Sequence, residues 1–314
     1  MMDADGSDST AFDGIRTLVL PVADLGPLQE LYIDLLGFHP TGQVDSPDPA
    51  WQQLWGLPVA PTRVVSLERP GGTGGGITLV KAPGLPGPEP AGLPDRAGPY
   101  ALDLYLRGAD VVEERLSRAG WGFRSEPVHY ALPGTVVPVR ERMLEQPWSG
   151  LLHALVEYRE KGTRCALDDD RHGDVSEVVA AVFLTDRLEE ALSFASDVLG
   201  GQVYFRGVFE GDAVEELLGL PAGAGLDAGL LRGPASRNAR LEFARPTPAA
   251  EGLRAPDPVP RVIAGWEVDD LDALVPRLAG HGTTTGVVTV DGRRHVGLAS
   301  VYGARFDLVE RDRT

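Results

Sequence analysis

Two short runs place a carboxylate two residues after an arginine: Arg240-Leu241-Glu242 and Arg305-Phe306-Asp307. Side chains two apart on a strand share a face. Each carboxylate could then act as a general base with a raised pKa inside a cavity, its arginine holding an oxyanion or carboxylate. The plainer alternative is that each arginine neutralises its neighbour as an ion pair. Glu267 has the parity of Ile263 on its own strand and is a third candidate, since three inward carboxylates could also hold a hard cation. Asp103 and Tyr105 form a comparable pair on another strand face. They could orient a substrate carbonyl or share a proton, or simply bind water. His295, with Tyr302 further along, could serve as an acid or base near neutrality, though a strand-end histidine beside Arg293 and Arg294 needs no such role. Trp51 and Trp55 lie one helical turn apart and offer either a cap for a planar ligand or core packing.

Other features carry less chemistry. The run from Gly71 to Gly76 lacks a GK[ST] ending and precedes a strand, so it reads as a hairpin turn and not a phosphate loop. Cys165 has no partner pattern, and Asp168-Asp169-Asp170 reads as a solvated linker run.

The elements that must position these residues repeat. An amphipathic helix is predicted from Asp24 to Gly37 and another from Asp186 to Gly200. Trp51 to Pro58 (WQQLWGLP) matches Val214 to Pro221 (VEELLGLP), and both landmarks are displaced by 163 residues. Asp110 to Gly122 echoes Asp270 to Gly282, displaced by 160. Each quarter opens on a β-rich stretch, Ile15–Val22, Tyr100–Leu106, Val178–Leu184 and Val262–Val268, followed by a helix and shorter strands. Pro/Gly-rich connectors, Pro83 to Pro99 and Pro246 to Pro260, separate quarters within each half. One strand, one helix and a few more strands cannot close a core alone; paired units can, by curling their sheets around a concave interior.

Leu18-Val19-Leu20-Pro21-Val22-Ala23-Asp24-Leu25 with Leu35-Leu36-Gly37-Phe38, its echo Val182-Phe183-Leu184-Thr185-Asp186 with Leu199-Gly200-Gly201, and the opening Trp266-Glu267-Val268-Asp269-Asp270-Leu271-Asp272 resemble the vicinal oxygen chelate superfamily. That group includes glyoxalase I, bleomycin-resistance proteins and extradiol dioxygenases. The resemblance covers roughly Gly14 to Arg311 and implies an α+β fold of four βαβββ modules forming two glyoxalase-like domains. The expected division is a disordered tail over 1–13, a first domain over 14–158, a linker over 159–175 and a second domain over 176–314. The resemblance also implies a divalent metal held by histidines on opening strands and carboxylates on closing strands. Here the opening positions fall on Thr17, on Ala101 or Asp103, near Val179 and on Ile263. The closing positions fall on Thr78 or Leu79, Ala154, Glu242 and Asp307. None is histidine, so no metal and no other cofactor is expected. Glu242 and Asp307 would share one cavity if the second half closes on itself, with Thr17, Asp103 and Tyr105 in the other. Pairing of module one with four and two with three would separate them. The spacing of His295 and Tyr302 matches part of an extradiol dioxygenase signature, without the acidic-proline-x-glycine run that should follow. His153, next to Ala154, should face away from the cavity.

A hydrophobic fraction of 43% suits a folded globular chain, and a formal charge of −17 disfavours nucleic acid and anionic lipid as partners. One cysteine allows no intramolecular disulfide, no apolar run is long enough to span a bilayer, and no signal peptide is visible, so the expectation is cytoplasmic. Only Lys81 and Lys161 are lysines, a bias suggesting a GC-rich bacterium. The expected function is an enzyme of bacterial, specialised metabolism. It would do non-oxidative acid/base chemistry (isomerase, cyclase or lyase) on a small molecule, with Glu242, Asp307, His295 and Tyr302 as catalytic candidates. Thr17, Trp51, Trp55, Asp103, Tyr105, Arg240, Glu267 and Arg305 are the binding candidates. The alternatives are a ligand-sequestering or self-resistance protein without turnover, and a metal-dependent dioxygenase or lyase with atypical ligands. A monomer or a homodimer is compatible with four modules in one chain.

Overall fold

A computed structural model describes residues 14–157, 165–233, 240–248 and 252–311. The expected N-terminal tail and the first part of the linker lie outside these residues. The first module comprises β1 (Ile15–Val22), α1 (Gly26–Gln29, continued by a wider π-helical turn, Glu30–Leu35), β2 (His39–Asp45), α2 (Ala50–Trp55), β3 (Arg63–Glu68) and β4 (Gly76–Lys81). The second comprises β5 (Gly98–Leu106), α3 (Ala109–Arg118), β6 (Val128–Ala131), β7 (Pro138–Gln146) and β8 (Leu151–Glu157). The third comprises β9 (Val175–Leu184), α4 (Leu188–Ser193, continued as Phe194–Val198), β10 (Gln202–Phe209), α5 (Asp212–Leu218), β11 (Gly225–Arg232) and β12 (Arg240–Thr247). The fourth comprises β13 (Ile263–Val268), α6 (Leu271–Leu274, continued as Val275–Leu278), β14 (Gly282–Val290), β15 (Arg293–Ser300) and β16 (Arg305–Glu310).

These strands form two eight-stranded sheets, ordered β14-β15-β16-β13-β1-β4-β3-β2 and β10-β11-β12-β9-β5-β8-β7-β6. Module one therefore pairs with four, and module two with three. The sheets do not follow the division into halves at the linker: each takes one module from each half. The seams are antiparallel pairs of opening strands. Thr17 faces Gly265 across β1/β13, and Asp103 faces Ala180 across β5/β9.

Strand parity separates two kinds of core. On β1 and β5, Leu18, Leu20, Leu102, Leu104 and Leu106 join a central cluster with the buried faces of α1, α3, α4 and α6. That cluster spans both sheets. The alternate residues point into the opposite, concave faces: Val19 in one sheet, Ala101 and Tyr105 in the other. The central cluster also encloses His153, which is fully buried and accepts or donates a 2.7 Å hydrogen bond with the Tyr32 hydroxyl. Burial lowers the His153 pKa to about 3, so the ring is neutral in the fold.

The part of the linker that is described is not simply solvated. Cys165 and Leu167 are buried, the Cys165 amide donates to Asp168, and Arg69 donates to Asp170 at 3.1 Å.

Candidate active site

The concave face of the second sheet encloses a cavity of about 1120 Å³, open mouth included. Its walls are largely apolar, with Met143, Val156 and Val182 from the sheet and Val214, Leu217 and Leu218 from α5. The α5 helix belongs to module three but packs over β6 and β7 of module two. It ends at Gly219 in the left-handed conformation (φ 67°), a geometry that glycine adopts without penalty.

Into this apolar shell project three carboxyls and one guanidinium. Asp103 comes from β5, Glu141 from β7, and Glu242 and Arg240 from β12. Arg240 Nη1 donates to the Tyr204 hydroxyl at 2.9 Å, Nη2 donates to the Tyr105 hydroxyl, and Nε donates to the Val179 carbonyl at 3.0 Å. The Tyr130 hydroxyl donates to Glu141 Oε2. Glu242 is only 8% exposed, and no hydrogen bond or ion pair reaches its carboxyl from any described residue. Asp103 likewise has no such partner.

Both carboxyls face the cavity, Glu242 from a buried residue and Asp103 from a half-buried one, and loss of bulk water favours their neutral form. Burial, reinforced by the negative charge of Glu141 and opposed by Arg240, pushes Glu242 up to about 8. Burial pushes Glu141 up to about 7, with the Tyr130 hydrogen bond pulling the other way. Asp103 is raised well above the carboxylate range by burial, then by Glu242 and Glu141. Glu141 and Glu242 are thus brought near neutrality, where proton transfer is useful, beside an Asp103 that is shifted in the same direction.

The concave face of the first sheet is built differently. The α2 helix crosses from module one onto β14, β15 and β16. Leu54, Trp55 and Leu57 fill the hollow against Val19, Val80, Ile263 and Val290. The approach is close: a Cβ on Gly297 of β15 would lie 2.2 Å from the Leu54 carbonyl oxygen. Trp51 stacks on Trp55 with centroids 4.2 Å apart and meets the His295 ring edge-on at 5.3 Å. Asp307 accepts a 3.1 Å bond from the Trp55 indole on Oδ2, and its Oδ1 lies 2.8 Å from His295 Nδ1. In the repeat, Trp51 and Trp55 occupy the places of Val214 and Leu218. Two aliphatic side chains leave a cavity in one sheet; two indoles fill it in the other.

The structure redistributes the expected site residues. Glu242 and Asp307 lie in different sheets and share no cavity, because the modules pair one with four and two with three. Asp103 and Tyr105 line the cavity of Glu242 and Arg240, not one shared with Thr17. Thr17 sits in the first sheet, its hydroxyl 2.9 Å from that of Thr78. Neither arginine neutralises its neighbour as the short runs suggested: Arg240 turns to tyrosines, and Arg305 Nη2 donates to the Pro258 carbonyl at 2.9 Å in a cleft between the sheets. Glu267 is held by Arg16 and by Arg293 at 3.1 Å, with Arg311 at 3.8 Å, and does not join Asp307. His295 does meet Asp307, but Tyr302 bonds His281 at 2.8 Å instead. Trp55 is buried and Trp51, half-buried, stacks on it, so the pair packs as a plug in the hollow. Sequence reasoning missed Glu141, Tyr130 and Tyr204. A signal for Glu141 existed: it shares strand parity with Val139 and Met143, both buried.

The donors do not suit the metal that the family resemblance implies. Thr17 and Thr78 bond each other, and both oxygens of Asp307 are taken by His295 and Trp55. The large cavity has no histidine in its walls. Among the described residues, no three His, Cys, Asp or Glu side chains come together so as to hold a metal ion. No helix among them is long and apolar enough to cross a membrane.

No family model matches the sequence, and a search of curated proteins gives no match. Solved structures do match. A Bacillus subtilis protein proposed as a dioxygenase aligns over 95% of this chain and 84% of its own, at 17% identity and a TM-score of 0.60. Glyoxalase I from Zea mays aligns over 95% of this chain and 92% of its own, at 12% identity and a TM-score of 0.59. At such identities the likeness is one of fold.

Proposed function

On this glyoxalase-like fold of the vicinal oxygen chelate superfamily, we propose an enzyme that moves protons on a small, largely apolar molecule bound in the cavity of modules two and three. The observation that carries the reading is the Glu242 carboxyl: it belongs to a buried residue, lines a largely apolar cavity and has no partner among the described residues. A structural carboxylate would be expected to find a donor. An unpartnered one facing a cavity fits a group whose partner arrives with the ligand.

The neighbours supply the other roles. Glu141 titrates near 7 and can take a proton from carbon or oxygen. Glu242 titrates near 8 and can return one. Glu141, which accepts from Tyr130, is the better held as an anion, and Glu242, which has no donor among the described residues, the better held as an acid. The Tyr204 hydroxyl accepts from Arg240, so its own O–H is directed toward acceptors and can hold a substrate oxygen as charge develops there. No electrons are transferred in such a step, so isomerase, cyclase or lyase chemistry follows. His295 and Asp307 take no part, because α2 covers them.

The test uses enolisable ketones of bicyclic size in D2O, with loss of the α-proton signal followed by NMR. Wild-type protein should exchange the α-proton, with an optimum between about pH 7 and 8, and folded Glu141→Gln and Glu242→Gln variants should lose ~100-fold or more. Ligands that bind in the cavity and are returned unchanged would favour sequestration over catalysis.

A further inference from the structure

We propose that the cavity of modules two and three selects a cationic ligand: a protonated amine on an apolar body of one or two rings, with its ammonium seated against Asp103 and Glu242. The inference rests on the reading of this cavity as the ligand site and narrows what enters it.

Charge and donor balance carry the argument. Three carboxyls face one guanidinium. The Arg240 guanidinium already donates to Tyr105, Tyr204 and the Val179 carbonyl, so it is poorly placed to clamp an anion. Glu242 is more than nine-tenths buried, and neither it nor Asp103 receives a hydrogen bond from a described residue. What these two lack is a positive charge with several N–H donors, which is what an ammonium brings. A carboxylate or phosphate ligand would oppose ionisation of these carboxyls, and an alcohol brings one donor and no charge. The upper wall adds aromatic faces, with Tyr130 and Phe209 at 6.4 Å and Phe205 and Phe209 at 5.8 Å between centroids. Such faces attract a desolvated cation. Without a cation the carboxyls are held neutral by their protons. Binding therefore exchanges an ammonium for a proton: one member of the Asp103–Glu242 pair ionises to receive it, and the remaining carboxyls stay available for proton transfer.

The titratable and charged groups that share the cavity with Glu242 set the pH dependence. They are Tyr100, Asp103 and Tyr105 on β5, Tyr130 on β6, Glu141 on β7, Tyr204 on β10 and Arg240 on β12 itself. Below the raised carboxyl pKa values the cavity is neutralised and attracts no cation. As pH rises from 6 to 8 the carboxyls ionise and an amine binds more tightly.

Three probes of matched shape decide the question: 1-naphthylmethylamine, 1-naphthylmethanol and 1-naphthoate, titrated calorimetrically in buffers of different ionisation enthalpy. The expected result is an amine bound about 10- to 100-fold more tightly than either analogue, the advantage of a charge-assisted hydrogen bond. About one proton should leave per amine at pH 7, and affinity should rise from pH 6 to 8. Asp103→Asn and Glu242→Gln, each folded by circular dichroism, should each weaken the amine and spare the alcohol. Equal or tighter binding of the alcohol or naphthoate, or amine binding that releases no proton and ignores both substitutions, overturns the proposal. Proton exchange on neutral ketones with no preference for the amine would leave the enzymatic reading standing and remove this one. If no probe binds and no ketone exchanges its α-proton, both readings fall.

Discussion

Replacing Glu242 by glutamine should change how stability depends on pH, and the size of the change follows from burial. In the unfolded chain the carboxyl titrates at its ordinary value of 4.5; in the fold it is pushed up to about 8. The folded state therefore binds an extra proton between these limits, and stability falls as pH rises through the window. A rise from 4.5 to about 8 corresponds to ~5 kcal/mol at most, and the shared titration with Asp103 reduces this to roughly 3–5 kcal/mol. The penalty is absent below pH 4.5 and complete above about 8. Glu242→Gln keeps the shape and removes the ionisation. Its stability relative to wild type should rise from pH 5 and level off above about pH 8, by roughly 3 kcal/mol or more. Urea unfolding of both proteins at half-unit pH intervals measures this, and taking the difference cancels contributions from titrating groups that do not interact with Glu242. A wild-type-minus-variant difference that stays flat across the window would show that the carboxyl is solvated in the fold, and the account of the cavity would fail with it.

Two further perturbations probe the rest of the structure. His153 is buried neutral with its pKa lowered to about 3, so stability should be lost as pH falls from 6.5 toward 3, by ~1.4 kcal/mol per pH unit. His153→Gln should flatten that acid limb in urea unfolding, and an unchanged limb would refute the assignment. Trp55→Leu imports the residue that module three carries at the equivalent place; it should cost about 2–4 kcal/mol and open a hollow beside Asp307 that takes up xenon under pressure. A loss under about 1 kcal/mol with no xenon site would mean that the indole does not fill the hollow.

Much of the fold was legible because its signals are local. The repeat of GLP-ended helices at a displacement of 163 corresponds to α2 and α5, each closed by a left-handed glycine, Gly56 and Gly219. The alternation Leu18, Leu20 against Val19, and Leu102, Leu104 against Ala101 and Tyr105, separates the two cores as strand parity requires. The site was legible only in pieces. Asp103, Tyr105, Arg240 and Glu242 could each be marked as inward-facing, but they lie on strands of two different modules, and nothing in their spacing says that those modules meet. Glu141 was hidden between Arg140 and Arg142, which reads as an exposed charged strand. Those arginines in fact face the other way, paired with Glu113.

Residue order alone determined four modules, the parity of their opening strands and the absence of histidine at the expected ligand positions. These follow from periodicity and composition, which act over a few residues. Tertiary structure decided which modules share a sheet, because four opening strands of similar pattern can pair in more than one way and only long-range packing chooses among them. The same packing brought Asp103 and Glu242 into one cavity. It also laid α2 and α5 across the partner module, where two indoles fill one hollow and two aliphatic side chains leave the other open.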